Sequence, residues 1–328
     1  GLSLERGFVT VVVSTLALLV VCAIFAPSSV TTGALVGSLP FAAVLGIVGL
    51  GQMLVVQQGG FDLSVPGGVS LAVVVSTHMP NGNDAALLQA VLVAFGFAIA
   101  AGVLNGLLIG LYRLNAIVAT IGMNALLYGV VFAVSGGVPR ITTDLLAEIA
   151  AGRTFGINHS VYFAVAIVAL VTFLMKKTVA GRRFEAIGAN PLAAQAAGLR
   201  VRLYQMMAYV VAQLHYCLAG LLIAGITREP TAFQGNSLLL PSVAVVVLAG
   251  VSLRGGRGFP VSVLIAAFFL NQLSQFALSI GVPYSAQTIV QALALVLGIG
   301  IYSITWTRPR RRNDQRPVEE DTHGTEAT

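Results

Sequence analysis

The chain has 328 residues, 57% hydrophobic and only 9% charged, with a formal net charge of +6 and a mean hydropathy of +0.90. Soluble domains carry about 25% charged residues, so this composition excludes an ordinary water-soluble fold and indicates a polytopic membrane protein. The positive charge fits basic cytoplasmic loops better than nucleic-acid binding.

Residues 7–61 hold no Asp, Glu, Lys or Arg, and charge-free stretches recur at 85–112, 114–139, 154–175, 203–227, 230–253 and 258–307. An unpaired charge is costly in hydrocarbon, so a bilayer selects such runs. A span needs about 20 apolar residues. Ten spans are predicted, at 8–26, 35–57, 62–79, 86–110, 116–136, 158–175, 205–226, 237–253, 259–280 and 284–306. The first is signal-peptide-like in its apolar core, but the spans that follow make it a first transmembrane helix. The third is interrupted by Pro66, Gly67 and Gly68, so it reads as a broken or re-entrant helix. In the fourth, Gly102, Gly106 and Gly110 form a GxxxGxxxG run that permits close helix contact.

With the N-terminus inside, the inner segments hold Arg6, Arg113, Lys176, Lys177, Arg182, Arg183, Arg200, Arg202, Arg254, Arg257, Arg308, Arg310, Arg311, Arg312 and Arg316. Only Arg140, Arg153 and Arg228 lie outside. This asymmetry predicts both termini inside. The outer loop 137–157 carries Asp144 and Glu148. The inner loop 176–204 is the longest polar segment before the tail, and 307–328 reads as a charged, disordered cytoplasmic tail beyond a transmembrane domain 1–306. Spans two to five and seven to ten have similar lengths, and SVPGGVSLAVVV faintly echoes LLLPSVAVVVLAG. That pattern suggests inverted repeats. The fold class expected is therefore all-α and polytopic.

Within the inner loop, Asn190 is a good N-cap, Pro191 suits the first helical position, and Gly198 suits the position after the last turn. They bound a helix of about two turns rich in alanine. So short a helix is unstable alone in water and must pack on something. It lies either on its own bundle or in a cleft of a cytoplasmic partner.

The run GRRFEAIGANPLAAQAAGL, Gly181–Leu199, resembles the cytoplasmic coupling loop of the ribose/xylose/galactoside-type ABC importer permeases. Three further runs agree: GGFDLS at Gly59–Ser64, NGLLIGLYRLNAIVATIGM at Asn105–Met123, and GGRG at Gly255–Gly258. Related branched-chain amino-acid permeases carry a different run where GGFDLS stands, so the resemblance favours the sugar side. Pro66 before Gly67 departs from the family pattern. The resemblance implies a permease in the bacterial inner membrane, paired with a second permease copy. It also implies a separate ATPase subunit that carries ATP and Mg, and a periplasmic or lipid-anchored sugar-binding protein. It implies contact with the ATPase through Arg182, Glu185, Gly188, Asn190, Pro191, Ala193, Ala194, Ala197 and Gly198.

The residues themselves fit. The chain has no GxxxxGK[ST] phosphate loop, and its only lysines are Lys176 and Lys177, so ATP hydrolysis is expected in another chain. Neither a catalytic set nor a metal-ligand spacing is seen; Cys22 and Cys217 lie in separate apolar runs, and His215 has no acidic neighbour in its span. Asp62, with Gly59, Gly60 and Ser64, reads as a structural pin near a membrane boundary, capping a helix or pairing with an Arg. Polar residues within spans are candidates for the substrate path, foremost Asn105, Asn124, Asn271, Gln272 and Gln275, with Gln213, His215, Gln287 and Gln291 behind them. Neutral amides offer a polyol both donor and acceptor, and they serve equally as interhelical glue. The alternatives left open are a permease for a branched-chain amino acid or nucleoside, and an ion-coupled secondary transporter.

Overall fold

The computed structural model describes residues 6–283 with Ala286 and Ile289. The predicted span 284–306, with Gln287 and Gln291, and the tail lie outside the described residues. Twelve α-helices and one two-stranded hairpin make up the rest: α1 (Arg6–Phe25), α2 (Thr32–Gln57), α3 (Val65–His78), α4 (Leu87–Gly106), α5 (Ala116–Ser135), α6 (Asp144–Ala151), β1 (Arg153–Thr154), β2 (Ile157–Asn158), α7 (His159–Lys177), α8 (Val179–Ala189), α9 (Pro191–Ala196), α10 (Val201–Thr227), α11 (Leu239–Leu248) and α12 (Pro260–Ser279). Among the described residues, seven helices are long and apolar enough to cross a membrane: α1, α2, α4 with its flanking turns, α5, α7, α10 and α12.

The third and eighth predicted spans are shorter than expected. Helix α3 has 14 residues and α11 has 10. At 1.5 Å per residue, even α3 covers only about 21 Å of a hydrocarbon layer of about 30 Å. The chain spends residues 58–64 on a turn before α3 begins, and α11 is preceded by a 3-10 turn at Gln234–Leu238. The two short helices hold matching places in the suggested repeat, whose last member lies outside the described residues.

Helices α2 and α10 form the centre. In α2, 89% of the apolar window is buried, against 17% in α1. Helix α10 packs on α4, α2 and α3, and α2 packs on α10, α12, α7 and α11. The GxxxGxxxG run forms the α4–α10 seam. A Cβ at Gly102 would lie 2.5 Å from Val210 Cα, and one at Gly106 2.5 Å from Met206 Cγ. One at Gly110 would lie 3.1 Å from Arg202 O. Any side chain there would force the helices apart.

The bundle has two distinct ends. At one, Gly256 N donates to Gln57 O at 2.8 Å, and Gln58 Nε2 donates to Phe184 O at 2.9 Å. At the other, Arg140 Nη1 donates to Asn81 Oδ1 at 2.7 Å, Leu145 N to Asp84 Oδ1 at 2.9 Å and Thr142 N to Arg228 O at 2.8 Å. The segments assigned inside from charge thus gather at the first end, and those assigned outside at the second. Cysteine labelling tests which end faces the cytoplasm. Cys22 and Cys217 are buried and are replaced first. A membrane-impermeant thiol reagent should then label Glu148→Cys in intact cells and spare Ala193→Cys. The reverse pattern would invert the orientation.

Candidate functional site

The turn between α2 and α3 is the most polar place in the buried bundle. Gly59, at φ +81°, turns the chain after α2, a conformation that favours glycine. Gly60 follows, where a Cβ would lie 2.3 Å from Tyr209 Oη. Asp62 and Ser64 come next, both fully buried. Ser64 N donates to Asp62 Oδ1 at 2.9 Å, and the Ser64 hydroxyl donates to the same oxygen. Gln213 Nε2, from α10, donates to Ser64 Oγ at 2.7 Å and to Asp62 Oδ2 at 3.4 Å. Asn105 Nδ2, from α4, donates to Ser64 Oγ at 3.1 Å.

Helix α5 completes the cradle. Its Thr120 Oγ1 accepts from Leu63 N at 3.0 Å, and its Asn124 Oδ1 accepts from Gly67 N at 2.8 Å. Pro66 sits in the first turn of α3, where its missing N–H has no intrahelical partner to lose. The inserted proline is therefore accommodated. Asp62 is fully buried, and its hydrogen bonds come from Ser64 and Gln213 rather than from an Arg. Burial of an ionised carboxylate requires such donors.

The inner loop 176–204 contains two helices where one was expected. Helix α8 precedes α9, with Thr178 Oγ1 accepting from Gly181 N at 3.1 Å. The ion pair Lys176–Glu185, at 2.8 Å, ties α7 to α8. In α9, Asn190 Oδ1 accepts from Ala193 N at 3.0 Å, and Gly198 ends the helix at φ +79°. Leu199 N then donates to Ala194 O at 3.0 Å.

The nine residues assigned to ATPase contact divide by direction. Glu185 faces Lys176. Gly188 faces the bundle, where a Cβ would lie 2.0 Å from Gln57 O and 2.8 Å from Gly256 N. Ala194 is buried in a small cluster with Ile187 and Val201. Arg182, Asn190, Pro191, Ala193, Ala197 and Gly198 are exposed. So is Leu192, at 80%, which sequence reasoning passed over. Its signal was its place directly after Pro191, on a helix too short to bury both faces. An open cleft of about 330 Å³ lies alongside, lined by Gln195, Leu199, Arg200, Val201, Arg202 and Leu203.

The substrate-path candidates do not share one surface. Asn105 and Asn124 are spent on the turn. On α12, Asn271 Nδ2 donates to Ser38 O at 3.3 Å, while Gln272 turns to the segment after α1 and donates from Nε2 to Ser29 O at 3.1 Å. Gln275 is partly exposed, four residues beyond Asn271 and on its face. His215 is held by its own helix, with Nδ1 2.7 Å from Val211 O. The cleft between Leu71, Ala94, Ala98, Leu127 and Gln213 measures about 10 Å³, room for a single water at most. Among the described residues no three His, Cys, Asp or Glu side chains gather as a metal site would require.

The chain is similar to known proteins over most of its length. The family profile described as "Branched-chain amino acid transport system / permease component" matches residues 34–299. A probable ABC transporter permease protein of Sinorhizobium fredii is 30% identical over 83% of this chain and 82% of its own length. The ribose import permease protein of Escherichia coli is 31% identical over 87% of this chain and 91% of its own. The autoinducer 2 import system permease protein of Salmonella paratyphi B is 28% identical over 80% of this chain and 75% of its own. No solved structure matches. With a profile spanning most of its length and relatives aligned over 83% and 87% of it, the chain belongs to the branched-chain amino acid transport system / permease component family.

Proposed function

We propose that this permease moves a sugar or polyol into the cytoplasm by alternating access, driven by ATP hydrolysis on a separate subunit. The family makes it a permease component of the bacterial inner membrane and not itself an enzyme. The observation that carries the proposal is the two-sidedness of the coupling segment. Leu192, Ala193 and Ala197 face outward, while Gly188 rests on Gln57 O.

A partner pressing on α9 would move α8 with it. That movement passes to Gln57 and Gln58 through the contacts of Gly188, Gly256 and Phe184. Gln58 adjoins Gly59, so the displacement enters the turn that Asp62, Asn105, Gln213 and Asn124 fasten to α4, α10 and α5. ATP and Mg belong to the partner ATPase, which would close as a dimer against two permease copies. A periplasmic or lipid-anchored binding protein would deliver the solute at the α6 end.

Two observations support the sugar class: the GGFDLS turn, and the import of ribose and of autoinducer 2 named for the Escherichia coli and Salmonella relatives. Ion coupling is disfavoured because the fully buried carboxylate, Asp62, is occupied as a hydrogen-bond acceptor.

The chemistry of the exposed segment describes its partner. The same segment also exposes Arg182, Arg183, Arg200 and Arg202, so a matching surface would pair an apolar pocket for Leu192 with acidic groups. Burying a leucine is worth about 1.5–3 kcal/mol, or roughly a ten- to hundredfold change in affinity. Leu192→Asp should therefore weaken co-purification with the ATPase by at least about tenfold and leave the helical content of the purified chain unchanged. Wild-type assembly and wild-type ATP-driven uptake of radiolabelled ribose, autoinducer 2 or another polyol would remove α9 from the coupling path. Liposomes holding this chain alone should hydrolyse no ATP; sugar uptake by them without ATP would favour a secondary transporter.

A further inference from the structure

The hairpin β1–β2 at the α6 end has no part in the coupling path. Its register pairs Arg153 with Asn158 and Thr154 with Ile157, leaving Phe155 and Gly156 as the two-residue turn. Both have positive φ, 52° and 78°, as the tight hairpin turns of this length require. Asn or Gly is the ordinary choice at the first of these positions, and a bulky aromatic there is an outlier. Phe155 is also 96% exposed. The chain thus places a large apolar ring in an unfavourable backbone conformation and leaves it uncovered.

The tip is not a loose loop. Tyr162 Oη, one turn into α7, donates to Thr154 O at 2.9 Å. His159 lies between the hairpin and α6, with Nε2 2.9 Å from Thr154 Oγ1 and Nδ1 3.1 Å from Glu148 O. Asn158 Nδ2 donates to Ala151 O at 3.0 Å. The hairpin is therefore fastened rigidly to the first turn of α7.

The direction of that fastening identifies the occupant. Tyr162 is 41% exposed and belongs to the outward side of α7, along with Phe163, Val165, Leu170 and Phe173. Helix α7 is long and apolar enough to cross a membrane, and its outward side is apolar, as a lipid face is. The hairpin stands at the head of that face. An aromatic ring beside a tyrosine and an arginine, at the end of a span, is the composition of a membrane–water interface. Arg153, exposed at the base of the hairpin, suits a lipid phosphate.

We infer that the 153–158 hairpin is a lipid-interface anchor: Phe155 inserts at the boundary between headgroups and acyl chains of the leaflet at the α6 end, and Arg153 engages a phosphate. It would fix the depth of α6 and α7 relative to the bilayer.

The test uses fluorescence of the full chain in phosphatidylcholine vesicles. Trp306 is the chain's single tryptophan, so Trp306→Phe gives a silent background for Phe155→Trp. The expected emission is blue-shifted and falls by about twofold or more when acyl-brominated phosphatidylcholine replaces the ordinary lipid, as for an aromatic at the interface. Aqueous iodide should quench it little. Water-like emission that is quenched by iodide and insensitive to brominated lipid would overturn the anchor. So would blue-shifted emission insensitive to both quenchers, or emission that moves only when the binding protein is added, since either places the ring against protein. Should the tryptophan variant fold poorly, Phe155→Cys carrying a polarity-sensitive dye, with Cys22 and Cys217 replaced, reads the same depth.

Discussion

Gly188→Val should abolish solute uptake while leaving the transporter assembled and still able to hydrolyse ATP. The reason is steric. A Cβ at this position would lie 2.0 Å from Gln57 O and 2.8 Å from Gly256 N, two atoms that are hydrogen-bonded to each other at 2.8 Å. Both belong to backbone, so no side chain can swing away. Gly255 is equally close, since a Cβ there would lie 2.4 Å from Gly188 O. The larger residue must lift α8 from the end of α2. Overpacking costs typically 1–3 kcal/mol, and at a backbone contact it falls toward the top of that range. The partner-facing residues of α9 stay in place, so docking survives, but the push no longer reaches the turn at Gly59. The measurement is ATP-driven uptake beside ATP hydrolysis in the same proteoliposomes, with uptake reduced by about tenfold or more. Undiminished uptake would show that force travels by another route.

Asp62 gives the second large effect, and the two substitutions at this site separate two roles. Asp62→Ala removes the acceptor of Ser64 N, Ser64 Oγ and Gln213 Nε2 at once. Ser64 and Gln213 are fully buried. Leaving a buried donor without a partner costs about 1–3 kcal/mol. Gln213 keeps its bond to Ser64 Oγ, so two donors at Ser64 carry most of the loss, and a markedly lower melting temperature in detergent is expected. Asp62→Asn retains one acceptor oxygen and should be the milder change in both stability and uptake. An ion-coupling site predicts a different order. Neutralising the charge would then abolish transport in both variants while the asparagine protein stayed folded, and that pattern would overturn the structural role of Asp62.

The sequence displayed the spans because a bilayer excludes charge over long stretches. The bounds of α1, α2, α5, α7 and α12 fall within a few residues of the predicted spans. Local chemistry revealed the capping of α9, because Asn190, Pro191 and Gly198 act within one turn of their own positions. Helix α8 was not visible in the same way. Gly181 and Gly188 lower its helix propensity, and both are there because backbone comes within contact distance of them. Helix α6 had a readable start at Thr143 and Asp144, but eight residues are too few for a periodic signal. The cluster around Asp62 joins residues up to 151 positions apart, and no local pattern reports such contacts. The same holds for the inward turn of Ala194. Alternation along a lipid-bathed helix is weak, because both faces are apolar.

The seam between α4 and α10 behaves as a bearing. Gly102, Gly106 and Gly110 present α10 with a nearly smooth track of main chain, free of protruding groups that would lock one register. A helix seated on such a track can translate along its neighbour without first unseating a row of interlocked side chains. The π-helical turn at Leu107–Leu111, at the end of that track, holds one residue more per hydrogen-bonded ring than an α-helix. It supplies axial slack where sliding would otherwise stretch the ladder. Polar side chains of α4 and α10 thus clamp the turn at Asp62, while the seam beside it brings the two helices together through glycines.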